Sequence, residues 1–96
     1  MAISVITRRK VSDRDTARDL EPLILKIRSL AKRQPGYITG RTFHRSDFPS
    51  EVRVLSTWDS QADWNRWLKS EQRMAIQKKV DNLLGEKTKY RVYESQ

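Results

Sequence analysis

The chain has 96 residues, 36% hydrophobic and 33% charged, with no cysteine. That is enough for one compact domain spanning 1–96 with one modest core, and it excludes disulfide staples, thiolate nucleophiles and cysteine-ligated metal. The net charge of +8 attracts anions and makes nucleic acid a partner to weigh, but the basic residues are scattered (Arg8 to Lys10, Lys32, Arg33, Arg41, Arg45, Lys78, Lys79, Lys87 to Arg91) instead of gathered into one tract, which favours a solvated basic surface. No apolar run approaches the roughly 20 residues that cross a bilayer, and the opening MAISVITRRK places its charges after its apolar stretch, so a cytoplasmic protein without a signal peptide or membrane partner is expected.

Residues 3 to 11, ISVITRRKV, are rich in β-branched types and predict a first strand. From about Thr16 to Arg33 the apolar positions Leu20, Leu23, Ile24, Ile27, Leu30 and Ala31 recur at steps of three and four, which predicts an amphipathic helix. Pro22 fits that helix only if the regular turns begin near Glu21 or an earlier turn is distorted, and Pro35-Gly36 stops it. Tyr37 to Arg45 and Glu51 to Trp58 alternate as two strands, with Tyr37, Thr39, Arg41, Phe43 and Arg45 assigned to one face of the first; the linking SDFPS predicts a hairpin loop of several residues. A helix over roughly 60 to 70, capped by Asp59 or Ser60, leads to another from Glu71 to Leu84 with Met74, Ile76, Val80, Leu83 and Leu84 near helical spacing. Gly85 ends it, and KTKYRVYE over 87 to 94 predicts a last strand.

Strand, helix, strand, strand, helices, strand is the split βαβ order of an α+β, ferredoxin-like fold: a four-stranded antiparallel sheet with helices on one face. Both faces of the strands carry large apolar groups, Tyr37, Phe43, Val52, Val54 and Trp58 against Ile38, Leu55, Tyr90 and Val92. Helices cover only one face, so a homodimer closed sheet against sheet is expected.

Pro35-Gly36-Tyr37, a charged hairpin and then TWDSQADWNRWLKS at 57–70 resemble the antibiotic biosynthesis monooxygenase family of small dimeric α+β barrel proteins. In that family a Trp-Asp or Trp-Glu pair ends the third strand and the next helix closes near Leu-x-Ser; Trp58, Asp59, Leu68 and Ser70 stand in those places. The resemblance covers nearly all of the chain and implies a monooxygenase acting on a small aromatic or quinol-like compound with dioxygen, without a cofactor. The chain departs from the family at Trp67 and Gln72, where many members carry histidine. Aligned with the haem-degrading branch, Thr7 and Gln77 stand where that branch has Asn and the His that ligates iron, and only Trp67 matches; glutamine is no effective substitute for an axial imidazole.

An oxygenase of this kind needs a flat apolar wall and polar groups that hold a substrate anion in a dry cavity, because the substrate supplies the electrons. Trp67, His44 and Arg41 are the catalytic candidates; Tyr37, Phe43, Trp64 and Arg91 are the candidates for substrate binding. Each has a plainer alternative. Trp64 and Trp67, three positions apart, share a helix face and either roof a pocket or fill the core; His44 is the single histidine, a base or a surface residue, and no metal-ligand spacing surrounds it. Tyr90 and Tyr93 point to opposite faces of the last strand, so at most one reaches a given cavity. Second to the oxygenase stands a non-enzymatic module that binds an anionic small molecule in the same cavity. Haem binding and nucleic-acid binding rank below both: glycine-rich phosphate loops are missing, and GRTFHR at 40–45 only faintly echoes an RNA-recognition motif.

Overall fold

A computed structural model describes residues 1–94. Its elements are β1 (Ile3–Val11), α1 (Arg14–Ala31), β2 (Tyr37–His44), β3 (Ser50–Trp58), α2 (Gln61–Leu68), α3 (Glu71–Leu84) and β4 (Lys89–Glu94). The strands form one antiparallel sheet in the order β2-β3-β1-β4, the ferredoxin-like α+β arrangement. Among the described residues no helix is long and apolar enough to cross a membrane.

Strand β1 alternates strictly, sending Ile3, Val5, Thr7, Arg9 and Val11 under the helices. Helix α1 begins two residues earlier than its apolar stripe suggests, because the Asp13 carboxylate accepts the Thr16 N–H at 2.8 Å as an N-cap. It runs unbroken through Pro22, correcting the expectation of a later start or a distorted turn. The carbonyl that Pro22 leaves without an N–H belongs to Arg18, on the exposed side of the helix and open to solvent. The helix ends at Ala31 and a tight turn follows, in which Gly36 adopts φ +85° and its carbonyl accepts the Asp59 N–H at 2.7 Å.

One irregularity alters the assignment of faces. Tyr37 pairs with Trp58 and Thr39 with Thr57, so a β-bulge at Ile38 shifts the alternation of β2 by one residue. Tyr37 therefore lies under the helices together with Gly40, Thr42 and His44, while Arg41 and Phe43 stand on the opposite, uncovered face. Tyr90 also departs from expectation: β4 pairs it with the buried Thr7, on the helix side, and leaves Arg91 and Tyr93 on the uncovered face.

Two hydrophobic clusters fill the space between helices and sheet. Ile3, Val5, Ala31, Trp58, Trp64 and Trp67 form one, and Val11, Leu20 and Val80 the other, with Ile27 packed against both. Helix α3 contributes the buried stripe Arg73, Ile76, Gln77 and Val80, whereas Met74, expected inside, is 55% exposed. The spacing is helical, yet two of those positions are polar. Gly85, with φ +73°, closes the helix by donating its N–H to the Asp81 carbonyl.

Candidate functional site

Ser60 fixes where α2 begins, its hydroxyl accepting the Asp63 N–H at 3.2 Å, and Trp64 and Trp67 then fall on the face that meets the sheet. Trp67 is 3% exposed and stacks on Trp58, ring centres 6.5 Å apart and planes 25° from parallel. Trp64 meets Trp58 and Tyr90 in tilted contacts at 5.8 and 5.6 Å, and Tyr37 completes the group edge-on to Trp58 at 5.4 Å. The hydroxyl of Tyr37 lies over Gly40, where any side chain would displace it.

These rings do not close the space completely. A cavity of about 60 Å³ remains beneath them, walled by Tyr37, Trp58, Trp64, Trp67 and Tyr90 and reached by Arg9, Arg28 and Arg73. A larger space of about 340 Å³ adjoins it, between α1 and the β2–β3 hairpin, and includes Glu21, His44, Arg45 and Phe48 in its lining. Ile24, Arg28 and Thr42 line both, so the two form an inner and an outer chamber. The inner one has room for a few waters or a diatomic molecule; of the two, only the outer is in the size range of an organic ligand.

The structure thus brings Trp67, Trp64 and Tyr37 together around the inner chamber and sets His44, an exposed side chain, in the lining of the outer one. It does not bring Arg41, Phe43 or Arg91 there. Phe43 is 47% exposed with the Arg41 guanidinium 5.2 Å from its ring centre, and Arg91 borders a separate depression with Arg8, Arg53 and Tyr93. The bulge at Ile38 accounts for the first two. Arg91 is an odd-numbered residue of β4, opposite in face to Tyr90.

Three arginines that sequence reasoning missed are the most unusual feature of the interior. Arg9 is 4% exposed and donates through Nη2 to the Gln77 Oε1 at 3.2 Å. Arg73 is 5% exposed; it donates to the Leu68 carbonyl at 3.1 Å and to the Tyr90 hydroxyl, with its guanidinium 5.1 Å from that ring's centre. Burial pushes the Arg9 guanidinium down to about 10, against the opposing pull of Asp81. Arg73 is likewise pushed down to about 10 by burial and then by repulsion from Arg9, with Asp81 again opposing. Both stay cationic at neutral pH. Gln77 stands between Arg9 and Asp81, accepting from Arg9 and from the Tyr90 hydroxyl and donating to the Asp81 carboxylate at 2.8 Å and to Thr88 at 2.6 Å. Its amide is fully engaged, which leaves nothing at the position aligned with a haem ligand to bind iron. Among the described residues no three of His, Cys, Asp or Glu are grouped to hold a metal ion.

Residues 2–79 match the family described as antibiotic biosynthesis monooxygenase. The curated proteins contain no match to this sequence. Several solved structures share the fold. A conserved protein from Methanosarcina mazei Go1 is 16% identical, with a TM-score of 0.87 over 100% of this chain and 94% of that one. SnoaB, a cofactor-independent oxygenase from Streptomyces nogalater, is 12% identical, with a TM-score of 0.82 over 99% and 93%. Rv0793 from Mycobacterium tuberculosis is 16% identical, with a TM-score of 0.84 over 100% and 96%.

Proposed function

Because the chain belongs to the antibiotic biosynthesis monooxygenase family, we propose that it is a cofactor-independent monooxygenase acting on a small aromatic or quinol-like compound. The observation that carries this reading is the pair of adjoining chambers: an inner apolar space beneath Trp67, sized for dioxygen, and an outer one sized for an aromatic ring system. SnoaB, similar in fold, is described as a cofactor-independent oxygenase, which supports the same chemistry here.

In this scheme the ring hydroxyl of the substrate loses its proton to a base in the outer chamber, where His44 and Glu21 are the acceptors in the lining. The resulting phenolate passes one electron to dioxygen, and the two radicals join through a new carbon–oxygen bond. The ring hydrogen at that carbon then leaves as a proton, the O–O bond breaks, and a carbonyl forms while the distal oxygen departs as water. One phenol and one dioxygen give one quinone and one water. The protein contributes a dry wall of indoles and fixed cations that favour the anionic form.

Oxygen uptake with naphthols and quinols, measured above their autoxidation in the presence of a chelator, tests the proposal. Trp67→Ala is expected to lower the rate at least about tenfold, but truncating a buried Trp costs about 3–5 kcal/mol, so Trp67→Phe is the companion variant that retains the fold. Absence of enzyme-dependent uptake in the unaltered protein, or an unchanged rate in both variants, overturns it. We further propose that the working unit is a homodimer closed through the uncovered face of the sheet, where Phe43, Leu55 and Tyr93 remain exposed.

A further inference from the structure

The acids and bases of this chain are unevenly matched. Among the described residues the ion pairs are those of Arg8 and Arg53 with Glu51, Arg18 with Asp15, Arg45 with Asp47 and Arg66 with Asp63, all at the surface. Arg9, Arg28 and Arg73, which line the inner chamber, have none. Two of them also have an orphaned donor: the Nε atoms of Arg9 and of Arg28 are buried and without a hydrogen-bond partner. Buried polar groups are otherwise satisfied almost without exception, and a buried cation with a free N–H is the costliest kind of vacancy. Arg9 has only a neutral amide for company, with the Asp81 charge one hydrogen bond further away.

Both arginines line the chambers. Arg28 belongs to the lining of both chambers, and Arg9 to the inner one beside the indoles. A ligand whose rings occupy the outer chamber therefore presents its inner end to two guanidiniums and to a wall of aromatic rings. We propose that the substrate is an aromatic carboxylate, whose carboxylate group is received by Arg9 and Arg28 while its rings lie in the outer chamber. An anion there neutralises part of the charge surplus and accepts charge-assisted hydrogen bonds from the guanidiniums in a place that water screens poorly. Guanidinium geometry suits a planar oxyanion and discriminates against an uncharged amide of the same shape. The inference rests on the chamber pair of the proposed function and names the substrate class it takes.

The test compares 2-naphthoate with 2-naphthamide, the same rings with and without the charge, by quenching of the tryptophan fluorescence at 58, 64 and 67. The acid is expected to bind at least about tenfold more tightly than the amide. Arg28→Gln is expected to abolish that difference with little change in melting temperature, because this side chain is only half-buried, and Arg28→Lys to keep part of it. Arg9→Gln should act in the same direction; should it fail to fold, Arg28→Gln carries the result. Lys79→Gln, which removes a charge from the exposed surface of α3, must leave the preference intact, or the net charge of +8 is its source and the proposal falls. Equal binding of acid and amide, or no quenching by either at millimolar concentration, also overturns it. The two proposals separate cleanly. A preference for naphthoate without oxygen uptake on hydroxylated naphthoates removes the oxygenase and keeps the anion site, whereas oxygen uptake on neutral quinols without that preference does the reverse.

Discussion

Gly36 is required twice over. Its φ of +85° is a conformation that L side chains rarely adopt, and a Cβ there would run into the Asp63 side chain. That close approach lets Asp63 accept from the Ser60 hydroxyl at 2.9 Å and from Arg66 at 3.1 Å, which seats the first turn of the tryptophan-bearing helix against the turn that precedes β2. Asp13 fixes the other helix that roofs the chambers. Hydrogen bonds from Thr16, its backbone N–H first, and from Ser12 hold the Asp13 carboxyl below its ordinary value. A lowered folded-state pKa means that the unfolded chain binds more protons as pH falls. The stabilisation is therefore present above about pH 4 and is lost on further acidification through the folded value. Thermal melts at pH 6 and pH 3 should show Asp13→Asn, which keeps an N-capping side chain, losing less stability on acidification than the unaltered protein. An identical loss would mean that the cap contributes nothing to acid sensitivity.

At the scale of elements, β1 and α3 are joined by polar groups where most sheet–helix contacts are apolar. Arg9 from β1 meets Gln77 from α3, and Gln77 in turn holds Asp81 and the Thr88 hydroxyl just before β4. Breaking one partner of such a buried pair leaves the other desolvated and unsatisfied, which is worse than removing both. Gln77→Leu should therefore cost about 2–3 kcal/mol in urea unfolding, and adding Arg9→Met should recover most of that loss. Additive losses in the double variant would show that the two side chains do not depend on each other. The same network explains why a cation is tolerated inside at all: three neutral or acidic groups are ranked behind it, while its buried Nε keeps no partner.

For the whole molecule the uncovered face of the sheet is where the proposed homodimer would close. Phe43, Leu55 and Tyr93 stand exposed there among Arg8, Arg41, Arg53 and Arg91, with Glu51 as the acid that pairs with Arg8 and Arg53. Apolar groups favour closing this face against a second copy, while the arginines of two such faces repel one another. Raising the ionic strength from about 0.05 to about 0.5 M should thus tighten the dimer, because shorter screening lengths weaken the repulsion and leave apolar burial intact. Sedimentation equilibrium reads this directly, and Leu55→Asp should shift the protein towards monomer at every salt concentration. A protein monomeric at all concentrations would remove this interface.

Element order, sheet topology and the helix that bears the tryptophans were determined by the sequence alone, because periods of two and of three to four report local backbone geometry whatever lies across from it. ISVITRRKV alternates as β1 does, Leu20 to Ala31 trace the stripe of α1, and Gly85 stands where α3 stops. Trp64, Trp67 and Tyr37 were recognisable as wall candidates by size and position. Only the tertiary structure decided which faces those patterns meet. An extra residue at Ile38 reversed the phase of β2, bringing Tyr37 in and turning Arg41 and Phe43 out, and a bulge leaves no mark in a strand's composition. Nor do Arg9, Arg28 and Arg73 announce themselves among 20 basic residues. The strict alternation of β1 and the 73, 76, 77, 80 spacing of α3 did place Arg9 and Arg73 on the buried side, but a charged residue is presumed solvated until the packing around it is known. Burial of a charge is a property of its surroundings, and those surroundings are assembled from segments as much as 68 residues apart.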